Sequence, residues 1–253
     1  MNNNAYSAAD SIILALDTSS NTASLAVSRG ARLLKSVRAG SNEKHERLWS
    51  DIQALLSELT MTIREIDAFA VCVGPGSFTG LRIGMAAVMG FSMPHNKPII
   101  AVTSLEAAAF AARPARLVCS MVSAYRGEFY SQLFSFDGEG VPVPQNDPMI
   151  STLETALERV DGASEVVFAG DVASLPDVVL GKSESGAELK RSIKQSDHPL
   201  AEDISSIGYV RLTRDEVETA MSVRASYVRQ SEAEIKLSLG LLGSKIKRSM
   251  KSG

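Results

Sequence analysis

The chain has 253 residues, of which 45% are hydrophobic and 22% charged, and its formal net charge is −3. This balance is typical of a globular protein with ample length for a buried core. The chain has no excess of basic residues, which argues against a protein that binds nucleic acid by itself. Cys72 and Cys119 form no metal-binding or redox spacing, which predicts two buried, reduced thiols. We find no signal-peptide core and no apolar run long enough to cross a membrane, so we expect a cytoplasmic location.

The first third of the chain begins with a strand, a hairpin and a helix. Residues 12–17 form a continuous apolar run that ends in Asp17, which predicts a central strand. Residues 22–37 predict a β-hairpin with a glycine-containing turn. Apolar side chains recur at helical spacing over 48–59, which predicts an amphipathic helix.

Strand–helix–strand units follow. A second buried strand is predicted at 68–73, and a glycine-rich loop joins it to a helix from about 81 to 92. A third strand is predicted at 99–102. Thr103 and Glu106 then match a capping box that opens an alanine-rich helix. The mixture of a hairpin with strand–helix–strand units predicts the α/β class.

The second half of the chain predicts a smaller α+β unit. Its predicted elements are strands at 117–122, 129–136 and 166–169 and helices at 151–160 and 203–212. Residues 137–148 are rich in glycine and proline, and we expect a loop there. We therefore predict a first lobe over 12–112, a second lobe over 113–230, and a C-terminal helix or frayed basic tail over 231–253.

The loop at 74–80 is the most distinctive segment, because it joins a buried strand to a helix N-terminus. Free backbone N–H groups at such a terminus favour an anion. No lysine follows Gly80, so the loop is not a Walker A motif, and Thr79 stands where a dinucleotide-binding fingerprint has its third glycine. Two readings stay open: an anion site, or a structural loop in which Gly74, Gly76 and Gly80 permit a tight turn.

The stretch GPGSFTGLRIG at 74–84 closely resembles the signature of the TsaB family. The resemblance runs from residue 12 to about 230, and weaker matches are ILALDTSS at 13–20, HERL at 45–48, VTSLEA at 102–107 and YVR at 227–229. Two departures stand out. Residues 123–130 differ from the family pattern, and Met89 replaces a lysine that the family often carries.

The resemblance implies a two-lobed, ribonuclease H-like fold of the actin, Hsp70 and sugar-kinase type. It also implies a non-catalytic subunit that binds TsaD, the paralogue that transfers a threonylcarbamoyl group to the adenosine beside the tRNA anticodon. The small ATPase TsaE joins this complex, which uses ATP, whereas this chain binds ATP at most weakly. Contact with tRNA is then indirect, and a homodimer is a second assembly to test.

The family resemblance also favours contact with TsaD, or with a second copy, through helices of the first lobe. An amphipathic helix can alternatively turn its apolar stripe to its own sheet. The residues predicted for the partner interface are His45, Leu48, Trp49, Ile52, Arg82, Met85 and Met89.

Two comparisons argue against metal-assisted catalysis. The TsaD paralogue carries two histidines at i and i+4, a spacing that can hold a metal, and Ser104 and Ala108 occupy the matching positions here. A metallopeptidase motif H-E-x-x-H would begin at His45, but Trp49 occupies its second histidine position. The other histidines, His95 and His198, match no ligand pattern and are expected to be exposed or capping. We therefore predict no metal and no catalytic residue.

The segment Asp17-Thr18-Ser19 suggests the alternative function. An Asp at the end of the first strand, with neighbouring hydroxyls, can hold a metal-bound phosphate in nucleotide-binding proteins of this fold. Residues 168–171 offer a facing loop in the second lobe. The segment is predicted to be a degenerate phosphate site, and the alternative is an independent ATP-binding kinase or ATPase. A simpler role is that the Asp caps a turn before the hairpin.

Overall fold

The computed structural model describes residues 8–20, 22–38, 47–124, 127–161, 163–172 and 190–228. Within these ranges the chain forms two β-sheets. The first contains β1 (Ile12–Asp17), β2 (Ser24–Arg29), β3 (Arg32–Arg38), β4 (Ala68–Cys72) and β5 (Ile99–Val102). Its strand order is β3-β2-β1-β4-β5, with an antiparallel hairpin on one side and parallel pairing of β1, β4 and β5 on the other. The predicted hairpin and the three predicted strands are confirmed.

The second sheet contains β6 (Val118–Ser123), β7 (Phe129–Phe136), β8 (Pro142–Pro144), β9 (Met149–Ser151), β10 (Glu165–Gly170) and β11 (Lys190–Lys194). Its order is β11-β10-β6-β7-β8, and β9 also pairs with β7. Strand β10 runs parallel to both β6 and β11. The loop expected over 137–148 contains β8, because a two-proline edge strand gives a weak sequence signal.

The helices are α1 (Leu48–Glu58), α2 (Phe78–Ser92), α3 (Ser104–Ala111), α4 (Leu153–Glu158) and α5 (Leu200–Thr213), with short 3-10 turns at Ala8–Asp10, Ile63–Glu65 and Met93–His95. Helix α2 begins earlier than predicted because Ser77 caps it, its hydroxyl accepting a bond from Gly80 N at 3.2 Å. The predicted capping box of α3 is confirmed. None of the helices in the described ranges has the length and hydrophobicity needed to span a bilayer.

Helices cover both faces of the first sheet, which explains why its central strands are apolar throughout. Leu14 and Leu16 of β1 pack with α1 and α2 on one face. Ile13 and Ala15 alternate to the other face, where α3 and α5 lie. Cys72 is a buried free thiol in this second layer, as predicted.

The position of α5 differs from the predicted division of the chain. Although it follows the second sheet in sequence, Ile204 and Ile207 pack in the core of the first sheet. A Cβ added at Gly208 would lie 2.9 Å from the Cβ of Ala70, so the helix approaches β4 closely. Residues 200–226 therefore lie with the first sheet and not with the predicted second lobe of 113–230. The region 231–253 lies outside the described residues.

The two sheets are joined through α3, which packs against both. Leu105 and Ala109 of this helix contact Val118 and Phe134 of the second sheet, while its other side faces α5. The Arg214 guanidinium, just after α5, lies 2.8 Å from Asp137 in the β7–β8 turn. The lobes thus meet along one side and leave a cleft on another.

Candidate functional site

A cleft opens between the two sheets at the carboxyl ends of β1, β6 and β10. Ligands of open α/β sheets bind at this edge. One part of the cleft has a volume of about 270 Å³ and is lined by Asp17, Ser104 and Asp171 among others. A second part, of about 880 Å³, extends past Ser77 and Phe78 at the start of α2. The predicted first-lobe segment and the facing loop of the second lobe therefore border one space.

Asp17 is buried at the base of the cleft, where it bonds to Ser19 and to the Cys72 thiol. Its Oδ1 accepts bonds from Ser19 N at 2.8 Å and from Ser19 Oγ at 2.6 Å. Burial still raises the pKa of this carboxyl above its ordinary value, because desolvation outweighs the bonds from Ser19 and Cys72. The neighbouring Cys72 thiol is also buried, which raises its pKa and leaves it protonated and unreactive. These bonds are those of a turn-capping Asp, and a phosphate-binding role stays a prediction.

Thr18 does not face the cleft, so its predicted part in a phosphate site is wrong. Successive side chains of an extended segment alternate in direction, and Thr18 points the opposite way from its two neighbours. Its side chain is fully buried against α2, where a Cβ added at Gly84 would lie 2.2 Å from Thr18 Oγ1. Among the described residues Oγ1 has no hydrogen-bond partner.

The glycine loop packs tightly on the end of β1. A Cβ added at Gly76 would lie 2.4 Å from the carbonyl oxygen of Ser19, so only glycine fits without displacing that backbone. Ser77 N donates to the same carbonyl at 2.6 Å. The Ser104 hydroxyl donates to the carbonyl of Pro75 at 2.5 Å. Both hydrogen bonds use loop groups for bonding within the fold.

The positions where the paralogue carries its two histidines line the cleft beside Asp17. The hydroxyl of Ser104 is used by the bond to Pro75, and Ala108 offers only a methyl group. In the described ranges no group of three His, Cys, Asp or Glu side chains could hold a metal ion.

A histidine–aspartate pair at the cleft was missed from the sequence. His198 Nε2 lies 2.7 Å from Asp203 Oδ2, whereas His198 was expected to be exposed or capping. The bond raises the pKa of His198, and burial raises the pKa of Asp203. His198 lies in the segment that leads from β11 to α5, so the bond ties this crossing between the sheets to α5. The sequence feature that could have indicated this pair is Asp203, an acidic residue in the first turn of a predicted helix.

The predicted partner residues divide into buried and exposed sets. Leu48 and Met85 are buried, and Ile52 is only 1% exposed; all three pack in the core under the first sheet, so their prediction as partner contacts is wrong. The apolar stripe of α1 is needed by its own sheet. Met89 is half-buried against the same core, while Trp49 and Arg82 are exposed. His45 lies outside the described residues.

An exposed apolar surface nevertheless lies on the outer side of these helices. Trp49 is 51% exposed, and its ring lies 5.3 Å from that of Phe91. Met93, at the end of α2, is 58% exposed. Ala86 and Gly90, earlier in α2, are also exposed. We refer to Trp49, Ala86, Gly90 and Met93 as the α1–α2 face.

The strand order of the first sheet, the second sheet facing it and the cleft between them define a two-lobed protein of the actin and sugar-kinase type. A family model described as "TsaD: tRNA N6-adenosine threonylcarbamoyltransferase" matches residues 40–156. The TsaB protein of Bacillus subtilis (strain 168) is 30% identical over 168 residues, which are 64% of this chain and 72% of that protein. The TsaB protein of Escherichia coli (strain K12) is 28% identical over 230 residues, or 89% of this chain and 97% of that protein.

A solved structure described as YeaZ from Pseudomonas aeruginosa is similar to this fold. It is 26% identical, with a TM-score of 0.68, and the match covers 86% of this chain and 99% of that chain. The chain belongs to the TsaB family.

Proposed function

We propose that this chain takes part in the synthesis of threonylcarbamoyladenosine in tRNA, as a non-catalytic subunit that binds a TsaD-type transferase. Its relatives are named as biosynthesis proteins for this modification. The observation that carries the proposal is the α1–α2 face. It is an exposed apolar surface that includes a half-exposed tryptophan, and its residues lie outside the buried core of the first sheet.

The face has the composition of a protein interface. Tryptophan is among the residues most often found to dominate binding energy, and methionine adapts to a partner's shape. Ala86 and Gly90 have little or no side chain, so a helix of a partner can approach α2 closely. The ring of Phe91 supports Trp49, which reduces the entropy lost when a partner fixes it.

The state of the cleft supports a non-catalytic role. The carboxylate of Asp17 accepts two bonds from Ser19, and Ser104 donates to a loop carbonyl. The side chains of Asp17 and Ser104 are therefore engaged in bonds within the fold, and burial keeps the Cys72 thiol protonated. In this proposal TsaD supplies the catalytic groups, TsaE hydrolyses ATP, and tRNA reaches this subunit through the complex.

The test is assembly followed by tRNA modification. The full chain is mixed with its cognate TsaD and the dissociation constant is measured by calorimetry. Trp49→Glu should weaken binding at least 30-fold, on the order of 2 kcal/mol, because it replaces the largest apolar side chain of the face with a charge. Leu33→Glu is the matched control, since Leu33 is an exposed hydrophobic residue on the edge strand β3.

Modification is then measured with TsaD, TsaE, ATP, threonylcarbamoyl-adenylate and unmodified tRNA, with and without this chain. Product should form only when the chain is present, and the chain alone should form none. Equal product without the chain, or no complex between two folded proteins, would contradict the proposal. Sedimentation of the chain alone reports whether the same face forms a homodimer.

The second candidate is an independent ATP-binding enzyme of the same fold. It is favoured by one observation, namely that Asp17 and Asp171 face each other across the cleft that they both line. Calorimetry with ATP and Mg²⁺ separates the two candidates. Absence of binding near millimolar ATP removes the second one. Metal analysis of the purified protein tests the more distant metallopeptidase reading.

A further inference from the structure

Three exposed side chains form a cluster at the N-terminal end of α2. The Arg82 guanidinium carbon lies 3.7 Å from the ring centroid of Phe78. The rings of Phe78 and Tyr227 lie 5.1 Å apart and are tilted by 39°. Arg82 Nε lies 3.5 Å from the Tyr227 hydroxyl. We call Phe78, Arg82 and Tyr227 the aromatic–arginine cluster.

The backbone fixes this cluster from two sides. Phe78 is the first residue of α2 and follows its capping residue. Tyr227 follows Ser226, whose N–H donates to the Val73 carbonyl at 2.7 Å. Val223, slightly earlier in the same segment, is buried in the core. The exposed rings are therefore held in place before any ligand arrives, which lowers the entropy lost on binding.

The cluster contains hydrogen-bond donors and exposed ring surface that make no contact within the described part of the fold. Arg82 carries donors on two Nη atoms, and in the described ranges no residue accepts a hydrogen bond from them. Tyr227 is 47% exposed. The segments 77–82 and 222–228 contain Arg82 and Arg224 and no acidic residue, although the chain as a whole has a net charge of −3. Arg82 is the cation of the cluster, since Arg224 donates to the carbonyls of Met221 and Val223, and the nearest cleft carboxylate is that of Asp171, which lines the same part of the cleft as Phe78.

The chemistry around the cluster indicates its ligand. Phe78 also lines the larger part of the cleft, of about 880 Å³, so a planar group in this space can contact the part of its ring that the Arg82 guanidinium does not cover. Exposed rings beside an arginine bind single-stranded nucleic acid, with bases stacked on the rings and phosphate on the guanidinium. The cluster and Trp49 are separate surfaces, since Phe91, which contacts Trp49, lies nine residues or about 14 Å along α2 from Arg82.

We propose that the aromatic–arginine cluster binds unpaired nucleotides of an RNA, with a base stacked on the Phe78 or Tyr227 ring and a phosphate bound by the Nη groups of Arg82. This rests on the proposed function only for the identity of the RNA, because a tRNA bound by the complex would supply unpaired nucleotides. It also assigns this subunit a direct contact with RNA, which the indirect role described above does not include.

The test is fluorescence anisotropy with two labelled probes, a single-stranded oligoadenylate and unmodified tRNA. Each is titrated with the full chain and with its complex with TsaD. Arg82→Gln and Tyr227→Leu should each weaken binding about tenfold. Arg82→Gln should also lower the slope of log K against log salt concentration by about one, because one phosphate contact is lost. Arg32→Gln, an exposed arginine at the β2–β3 turn, should leave both quantities unchanged.

Three outcomes would overturn the inference. These are undetectable RNA binding by chain and complex, an equal loss from Arg82→Gln and Arg32→Gln, or a loss of TsaD assembly with unchanged RNA affinity, which would make the cluster a protein contact. Failure of the proposed function looks different. The wild-type chain would then not assemble with TsaD, while the oligoadenylate titration would still show the effect of Arg82→Gln. Thermal melting confirms that all three variants are folded.

Discussion

The cleft and the α1–α2 face are both bordered by α2, but their side chains are used in opposite ways. In the cleft, Asp17, Ser19 and Ser104 bond to one another or to nearby backbone, and Gly76 of the glycine loop packs against the Ser19 carbonyl. On the face, Trp49 and Met93 expose more than half of their area, and no described element covers them. The polar groups of the cleft are hydrogen-bonded within the fold, whereas the apolar side chains of the face are exposed.

We therefore expect that, on α1 and α2, some residues contribute to stability and others contribute to binding. Residues that point towards the sheet hold the fold together, and residues a few positions away on the same helix are free to meet a partner. Each of the following variants tests one side of this division.

The largest expected effect comes from α1. Ile52→Ala should lower the free energy of unfolding by about 3 kcal/mol, because it leaves a cavity in the core of the first sheet. Trp49→Ala, at the preceding turn, should lower it by less than about 1 kcal/mol but weaken TsaD binding by about 2 kcal/mol. Urea unfolding and calorimetry measure the two quantities. If Ile52→Ala impaired binding of the folded protein and Trp49→Ala did not, the division would be wrong.

The next effect lies where α2 packs against Thr18, just after β1. Gly84→Ala should cost about 2–3 kcal/mol of unfolding free energy, because its Cβ would lie 2.2 Å from the buried Thr18 Oγ1. The control is Gly90→Ala on the exposed side of the same helix, where no atom lies within 4 Å of the added Cβ. That change should stabilise the protein by roughly 0.5–1 kcal/mol through helix propensity.

A double variant tests the cause of the Gly84 effect. Thr18→Ala removes the hydroxyl that the new methyl group would meet, and this hydroxyl has no partner among the described residues. The pair Thr18→Ala with Gly84→Ala should therefore be clearly more stable than Gly84→Ala alone. Strictly additive losses would show that the two residues do not oppose each other.

Local patterns account for the parts of the structure that the sequence predicted. The apolar run of β1 and the capping box of α3 each act within a few residues, so short segments determine them. The glycine loop was identified as structural or anion-binding, and its contacts favour the structural reading. Alternation along an extended segment could also have shown that Thr18 points away from Asp17.

Long-range contacts account for the errors. The stripe that includes Leu48 and Ile52 has the same spacing whether it packs on its own sheet or on a partner, and only the position of the sheet decides between them. Helix α5 was assigned to the wrong sheet because nothing in its sequence shows that Gly208 lies against Ala70 of β4. The pair of His198 with Asp203 likewise depends on how the chain returns to the first sheet.

A smaller effect is expected at the base of the cleft. Asp17→Asn should raise the melting temperature by a few degrees at pH 7, because it removes a buried carboxylate whose pKa is raised by desolvation, while its side-chain oxygen can still accept from Ser19. The folded state takes up a proton more readily than the unfolded state, so wild-type stability rises as pH falls from the folded pKa towards the ordinary value. The advantage of the variant should therefore shrink in acid. A variant less stable than wild type at every pH would contradict this account.

The smallest effect is expected at the bond between His198 and Asp203, which ties the crossing between the sheets to α5. His198→Gln should lower the free energy of unfolding by about 0.5 kcal/mol at pH 6, because the half-exposed imidazole is screened by solvent. The pKa of His198 is raised, so the stabilising charge is fully present below the ordinary value near 6.5 and is lost as pH rises through the folded pKa. The difference between wild type and variant should therefore decrease steadily above pH 6.5, as followed by urea unfolding at several pH values. A difference that grew with pH would mean that the neutral imidazole stabilises the crossing, and that the hydrogen bond matters there more than the charge.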